Sequence, residues 1–375
     1  MANNNDNKIL NVPHLRFPEF SGEWKKYKLS EICSFFSGGT PSSSKKEYYD
    51  GDIPFIRSGE LHEEQTELFI TEDGFKNSAA KMVEVGDLLL ALYGATSGDI
   101  AISKINGAIN QAILCIRTEQ NKKFIESIWR KHVGKLLQTY LQGGQGNLSA
   151  DIVKNISFYF SRIEEQNKLA EFVSLLDERI ATQNKIIEKY ESLIRGIRNE
   201  IFGKLRKSIG FNATVGDVLQ YEQPQSYIVE DTKYTKEGTP VLTANKAFVL
   251  GYTSEVDGIY DKGNCIIFDD FTLDIKYVDF PFKVKSSAIK ILTAKSNELL
   301  RYVYEFLKYL DLSTEEHKRH YITETQNQSL ILPNAKTIEM ISHTFSALSL
   351  RLGATVKQRN KYEVQKQYLL RQMFI

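Results

Sequence analysis

Few residues of this 375-residue chain have the types and spacing that catalysis needs. Asp269, Asp270 and Asp274-Ile-Lys276 resemble a nuclease cluster, in which carboxylates bind Mg²⁺ and a lysine polarises a phosphate. An acidic residue two positions before a lysine is common by chance, so this is the weaker interpretation. His317 and His320 are spaced for a metal, but no third ligand is apparent and a turn is predicted before them. A solvated or DNA-facing basic cluster is the better interpretation of these two histidines.

Two motifs of nucleotide chemistry are missing. Gly39–Lys46 lacks the second glycine of a phosphate-binding GxxxxGK[ST] loop. The sequence has no Asn/Asp-Pro-Pro-Tyr/Phe segment of the kind that amino-methyltransferases use to hold a flipped base. We therefore expect no enzymatic activity and no cofactor in this chain.

A second set of polar residues falls in predicted loops, where hydroxyl, amide and cationic groups can meet a base edge or a phosphate. For any single residue, a plain polar surface loop is the simpler interpretation, so the argument depends on the set. The segments are Gly38-Gly-Thr-Pro-Ser-Ser-Ser44, Arg57-Ser-Gly-Glu60, Tyr93-Gly-Ala-Thr-Ser97, Gly143-Gly-Gln-Gly-Asn147, Thr243-Ala-Asn-Lys246 and His317-Lys-Arg-His-Tyr321.

Composition limits the class of protein. A 42% hydrophobic content without a long apolar run is typical of a globular chain, and we expect it to be soluble and cytoplasmic, with no membrane contact. The net charge of +1 argues against an indiscriminate nucleic-acid binder but not against a sequence-specific one. The three cysteines are far apart and without ligand spacing, which indicates free buried thiols.

The chain contains an internal repeat. A shift of 172 positions aligns 155–160 with 327–332, 189–191 with 361–363 and 201–202 with 373–374, and fainter echoes precede these at slightly different offsets. In the first copy, ten positions from Leu169 to Ile201 alternate steps of four and three, the heptad pattern of a coiled coil, interrupted by Gln183. The second copy is patchier, and its partner must tolerate Arg359 and Lys366.

Such a stripe must be buried, and its own repeat is the economical partner. A pseudo-twofold relation between the copies would make the two helices antiparallel, with the globular halves at opposite ends. The alternative is that each helix only packs on its own globular half. The seam positions are Leu169, Val173, Leu176, Ile180, Ile187, Tyr190, Ile194, Ile197, Ile341, Phe345, Leu348, Leu352, Tyr362 and Leu369.

The globular halves have the pattern of α+β domains, with short strands between turn clusters. The first half predicts strands at 27–29, 53–57, 87–91, 100–103 and 112–116 and a helix at 124–141. The second predicts strands at 240–242, 265–268 and 288–292 and a helix at about 297–310.

Several short segments resemble the specificity subunit of type I restriction-modification enzymes, and the similarity runs along essentially the whole chain. They are Val12–Trp24, Leu29-Ser-Glu-Ile32, Gly39-Thr-Pro41, Gly51-Asp-Ile-Pro-Phe-Ile-Arg57 and Glu164-Glu-Gln-Asn-Lys-Leu169. Two features depart from the family pattern: Pro333–Glu339 is degenerate, and the second half lacks a clear Gly-Thr-Pro loop.

The resemblance implies a DNA-recognition subunit without catalytic activity. Two target-recognition domains would each read one half of a bipartite site in double-stranded DNA, and an antiparallel coil would act as spacer and docking platform. Two methyltransferase subunits would bind it, two restriction-translocase subunits can join, and S-adenosylmethionine, ATP and Mg²⁺ would sit on these partners. The implied organisation is a leader at 1–20, domains at 21–161 and 207–333, and helices at 162–206 and 334–375.

The residues that we expect at DNA belong to the predicted loops and to basic positions near them. They are Thr40, Ser42, Ser43, Ser44, Lys45, Arg57, Ser58, Tyr93, Thr96, Ser97, Asn110, Gln111, Gln145, Asn147, Thr243, Asn245, Lys246, Lys276, Lys285, Ser286, Lys318, Arg319 and His320. The alternative function is a coiled-coil scaffold that joins two protein-binding modules without touching DNA.

Overall fold

The structure is a computed structural model that describes residues 11–141, 147–244, 247–316 and 318–375, with the backbone alone at 140 and 141. The chain divides into two compact units. Unit 1 comprises the described residues up to Thr182 together with Arg359–Ile375, and unit 2 is Gln183–Gln358. Within the described ranges, no helix is long and apolar enough to cross a membrane.

The described residues of unit 1 form ten strands and four short or medium helices, and unit 1 shares a further long helix with unit 2. The strands are β1 (Lys25–Lys28), β2 (Cys33–Ser37), β3 (Tyr49–Ile56), β4 (Phe69–Ile70), β5 (Lys81–Val83), β6 (Leu88–Ala91), β7 (Ile100–Ile102), β8 (Gly107–Ile109), β9 (Ile113–Thr118) and β10 (Ser157–Phe160). The helices are α1 (Leu29–Ile32), α2 (Glu72–Lys76), α3 (Lys122–Leu141), α4 (Ala150–Asn155) and α5 (Ile163–Ser208).

Two four-stranded sheets form the body of unit 1. One has the order β2-β9-β6-β7, and the other has the order β4-β3-β8-β5 with β3 and β8 parallel. Strand β6 is apolar throughout because both of its faces are covered: Leu88 and Leu90 belong to the same core as α3, whereas Leu89 and Ala91 share a second core with the other sheet. Strand β9 alternates between the same two cores.

Unit 2 repeats this plan. Its strands are β11 (Ala213–Thr214), β12 (Leu219–Glu222), β13 (Thr239–Leu242), β14 (Val249–Thr253), β15 (Cys265–Asp269), β16 (Ile275–Val278), β17 (Lys283–Val284), β18 (Ile289–Ala294) and β19 (Ser329–Leu330). Its helices are α6 (Val215–Val218), α7 (Asn297–Leu310) and α8 (Ala335–Met373), the last shared with unit 1.

The repeat is clearer in topology than in sequence. The sheet order β12-β18-β15-β16 matches β2-β9-β6-β7 strand for strand, and β14-β13-β17 contains the same parallel pair as β3 and β8. The small ladder of β1 with β10 recurs as that of β11 with β19. The α+β prediction is confirmed, and the predicted strands and medium helices coincide with observed ones.

Each long helix contributes a segment to each unit. Helix α5 has 46 residues and is about 70 Å long at 1.5 Å per residue. In unit 1 the first turns of α5, with Leu169 and Val173, share one core with Leu370, Met373 and Phe374 at the end of α8. That core also contains residues of α3, β6 and β9, so this end of the helix pair is part of the core of the globular unit.

The segments of the two long helices run antiparallel in unit 1. In unit 1, Lys366 forms an ion pair with Asp177, and the Arg179 guanidinium lies 6.0 Å from the centre of the Tyr362 ring. The later residue of α5 therefore contacts the earlier residue of α8, as in an antiparallel pair. The charge of Lys366, which breaks the apolar pattern, is thus neutralised. Arg359 has a weaker pairing, at 3.5 Å, with Glu363.

In unit 2 the seam residues belong to the core beneath α7. Ile194, Ile341 and Phe345 are buried, and Ile197, Leu348 and Leu352 pack at its margin. Away from these cores, Ile180, Ile187, Tyr190 and Tyr362 are only half-buried. The buried seam residues therefore pack both on the other long helix, as predicted, and on the globular half, which was the alternative.

Candidate DNA interface

The strand registers bring the predicted loops of unit 1 to one edge. Ser37 pairs with Leu114 and Ala91 pairs with Ile113, so β2 and β6 end where β9 begins. In the second sheet Ile56 lies beside Ile109, and both parallel strands end at this edge. Segments 38–45, 57–60, 92–99 and 110–112 therefore all leave the sheets on the same side.

Glycines let the first of these segments lie close to the sheet. A Cβ on Gly38 would be 1.7 Å from the carbonyl oxygen of Ile109, and one on Gly39 would be 2.6 Å from the Ala79 Cβ. Because only glycine fits these positions, the loop reaches the turn after β8. There the Thr40 hydroxyl donates to the Gln111 side-chain oxygen at 2.5 Å.

The rest of this loop presents hydroxyl groups. Ser42, Ser43 and Ser44 are exposed, with the hydroxyls of Ser42 and Ser44 2.8 Å apart. The Lys45 ammonium donates to the Tyr48 hydroxyl at 2.9 Å and lies over its ring, which fixes the position of the cation without neutralising it.

Arg57, one of the residues expected at DNA, is paired with acidic side chains of its own loop. Its guanidinium forms ion pairs with Glu60 at 2.8 Å and with Glu67 at 2.7 Å. Burial raises the pKa of Glu60, but hydrogen bonds from Arg57 and the backbone outweigh this and lower that pKa to about 2. Arg57 is therefore neutralised within its own loop, and the half-buried Ser58 begins a short 3₁₀ turn there.

Some polar groups of the loop after β6 form hydrogen bonds within the loop itself. The Ser97 hydroxyl donates to the Leu92 carbonyl at 2.9 Å, and Thr96 is half-buried. Tyr93 is half-buried, and burial raises the pKa of its phenol, an effect that the Gln111 side chain only partly offsets. Asn147 is exposed, whereas Gln145 lies outside the described residues.

Unit 2 presents the same edge with different groups. Glu222 pairs with Ile291 and Asp269 pairs with Ile289, so β12 and β15 end where β18 begins. Leu242 lies beside Val284, and the segments that follow are 243–247 and 285–288. Thr243 is buried, contrary to our expectation, because its backbone N–H donates back to Phe248 and holds it inside the turn. Asn245 and Lys246 lie outside the described residues.

A buried charge network closes this edge in unit 2. The Lys290 ammonium donates to the Gln223 side-chain oxygen at 2.8 Å and lies 3.3 Å from the Asp270 carboxylate. Asp270 also accepts the backbone N–H groups of His320 and Tyr321, at 3.1 and 2.8 Å. Gln223 and Lys290 were not among the residues expected at this edge, although a lysine inside the apolar run of β18 was a signal for a buried pair.

The expected basic cluster after α7 is only partly exposed. His320 is 1% exposed and hydrogen-bonds through Nδ1 to Glu324, so it does not face solvent. Lys318 is exposed but pairs with Glu324 at 2.8 Å and also with Glu316. Arg319 is exposed, lies 3.7 Å from Asp270 and stacks over Phe271. The other histidine, His317, lies outside the described residues.

Three further residues of the expected set in unit 2 are at least partly accessible. Lys285 and Ser286 are exposed directly after β17, and Lys285 has no ion-pair partner among the described residues. Lys276 is half-buried on the edge strand β16, opposite Ile267. This set differs from the accessible set of unit 1 at the same edge.

The acidic residues considered for a nuclease have structural partners. The Asp269 carboxylate accepts the backbone N–H groups of Phe271 and Thr272, and Asp274 accepts the Thr272 hydroxyl. In the described part of the chain, no group of His, Cys, Asp and Glu side chains is arranged to hold a metal ion. These carboxylates stabilise the turn between β15 and β16.

Comparison with known proteins gives the class of this fold. Residues 21–192 match the family model of the type I restriction modification DNA specificity domain. The EcoR124I/EcoR124II specificity subunit of Escherichia coli is 40% identical over 164 residues, which are 39% of this chain and 41% of that protein. The MjaIX specificity subunit of Methanocaldococcus jannaschii is 25% identical over 307 residues, 74% of this chain and 67% of that protein.

A solved structure extends the likeness to the fold of the whole chain. The S subunit of a type I restriction-modification system from M. genitalium has a TM-score of 0.66 at 16% identity, covering 97% of this chain and 99% of that one. At 16% identity, this likeness shows that the two chains share a fold. Residues 21–192 are therefore similar to the DNA specificity domain of type I restriction-modification systems, and the whole chain shares the fold of that S subunit. Its alignment spans about two fifths of the Escherichia coli relative.

Proposed function

We propose that this chain is the DNA sequence-specificity subunit of a type I restriction-modification complex. Each unit reads one half of a bipartite site in double-stranded DNA, and the long helices act as spacer and docking platform for two methyltransferase subunits. Catalysis and its cofactors, S-adenosylmethionine, ATP and Mg²⁺, belong to those subunits and to restriction-translocase subunits where these join. The protein works in the cytoplasm.

One observation carries this proposal. Two units that share the order of their main sheet and a parallel strand pair present loops at the equivalent edge, but with different side chains. These are Thr40, Gln111 and serines in unit 1, and Lys285 and Ser286 in unit 2. A repeated scaffold with divergent loops is what two readers of different base sequences need, because base contacts determine specificity while the scaffold positions them. A scaffold that joins two protein-binding modules would not require this arrangement of hydrogen-bonding groups.

The test is the methylation pattern of DNA from cells that contain this protein with its methyltransferase partner, compared with cells that lack it. We expect adenine methylation at two short specified tracts separated by unspecified bases. A continuous motif, or no motif, would contradict the proposal. If the loop edges of the two units bound protein partners and did not bind DNA, the scaffold function would be favoured.

A second experiment tests the spacer function of the helices. Four residues inserted next to Gln183 in α5, with a matching insertion after Gln358 in α8, add about one helical turn and 6 Å. Since a base-pair step is 3.4 Å, the unspecified spacer should lengthen by one or two base pairs while both tracts stay the same. An unchanged spacer would refute the idea that the helices set the distance.

A further inference from the structure

We propose that Gln111 is a base-reading residue of unit 1, and that it recognises an adenine in the major groove while Thr40 orients its carboxamide. This inference rests on the proposed function and names one specificity-determining contact within it. It depends on the turn at 110–112, on the close approach of the glycine loop, and on the chemistry of a carboxamide.

The backbone around Gln111 is fixed. The Asn110 side-chain oxygen accepts the backbone N–H of Ala112 at 3.0 Å, and the Asn110 carbonyl accepts that of Ile113 at 3.3 Å. Ala112 is buried, whereas Gln111 is exposed at the edge where the loops of unit 1 meet. Its side chain therefore projects from a rigid tight turn between two strands.

The side chain of Gln111 is held as well. Its Oε1 accepts the Thr40 hydroxyl at 2.5 Å. Thr40 is itself anchored, because the next carbonyl, that of Pro41, accepts the Tyr49 hydroxyl at 2.7 Å. Ordering a free glutamine on binding costs conformational entropy, and this arrangement removes part of that cost before DNA arrives.

The chemistry of the carboxamide selects adenine. A carboxamide offers one acceptor and one donor side by side, and adenine presents the complementary N6 donor and N7 acceptor on its major-groove edge. Guanine presents two acceptors there, so one of its atoms would face the carboxamide oxygen. The oxygen that accepts from Thr40 keeps a second lone pair for adenine N6, while the NH₂ group donates to N7.

The corresponding position in unit 2 has different chemistry. Because Ile56 lies beside Ile109 and Leu242 lies beside Val284, the second residue after the strand is Gln111 in unit 1 and Ser286 in unit 2. Ser286 is exposed and accepts weakly from the Ala288 N–H at 3.4 Å. The two units should therefore read different bases at equivalent places.

The experiment measures methylation by the complex of the full chain with its methyltransferase partner on a library of sites. Gln111→Ala should weaken the preference for adenine at one position of one half-site by about ten- to a hundredfold, because a bidentate contact of this kind discriminates to that extent. The other half-site should be unchanged. Thr40→Val should relax the same position less strongly, and Thr40→Ser, which keeps the hydroxyl, should restore it.

Ser286→Ala is the matched control in unit 2. It should leave unchanged the base preference at the half-site that Gln111→Ala alters. An unchanged preference in Gln111→Ala, with the thermal unfolding midpoint preserved, refutes the assignment while the proposed function stands. Uniformly weaker methylation of all sites also refutes it, because that result indicates a phosphate contact. If the natural protein directs no bipartite methylation, the proposed function fails instead.

Discussion

A buried carboxylate in unit 2 gives the sharpest stability prediction. Glu305 of α7 is 1% exposed, accepts the Arg198 guanidinium at 3.0 and 2.7 Å, and pairs with Arg301 at 2.8 Å. The two arginine side chains are only 14% and 9% exposed. Glu305→Ala leaves both guanidinium groups with little solvent and without their main partner. Removing one member of a buried pair costs about 3–5 kcal/mol, which is the loss that we expect.

Urea unfolding of the natural chain and of Glu305→Ala measures this loss, and thermal unfolding gives a second estimate. For a unit of this size each kcal/mol lowers the midpoint by roughly 2–4 °C, so the transition of unit 2 should fall by roughly 6–20 °C. Arg198→Ala completes a double-mutant cycle, and the coupling energy should exceed about 1 kcal/mol. A loss below about 1 kcal/mol, or strict additivity of the two substitutions, would refute the claim that this network stabilises α7 against α5.

Two further predictions concern unit 1. Burial raises the pKa of Asp177, but hydrogen bonds from Lys123 and Lys366 lower it by a larger amount. The pKa of Asp177 in the folded protein is therefore below its ordinary value. Its contribution to stability is therefore complete above about pH 4 and is lost as the pH falls through the lowered pKa. Asp177→Asn should be less stable than the natural chain at pH 7, and urea midpoints at a series of lower pH values should show this difference shrinking as the pH falls below about 4. A difference independent of pH would contradict this. Phe374, 2% exposed and in ring contact with Trp24, should cost about 3–5 kcal/mol when replaced by Ala, and a loss under 1 kcal/mol would show that the end of α8 does not stabilise this core.

The elements of this fold could be predicted from local patterns. Continuous apolar runs such as Leu88–Ala91 and Cys265–Phe268 gave strands buried on both faces, and steps of four and three gave the long helices. The repeat of the helices also predicted two similar units. These features follow from periodicity along the chain, which needs no knowledge of distant contacts.

The groups available for DNA could not be predicted in the same way. Arg57 is neutralised by Glu60 and Glu67, and His320 is buried beside Asp270, although both residues looked like accessible cations in polar loops. Conversely, Gln111 gains its orientation from Thr40, 71 positions earlier in the chain. Strand register decides which of these residues meet.

The sequence by itself therefore determined the class of elements, the internal repeat and the resemblance to specificity subunits. The tertiary structure decided which polar side chains remain free, because hydrogen bonds and ion pairs depend on distances of about 3 Å between residues far apart in sequence. For Lys290, a charge inside an apolar strand is stable only because the fold brings Asp270 and Gln223 to it.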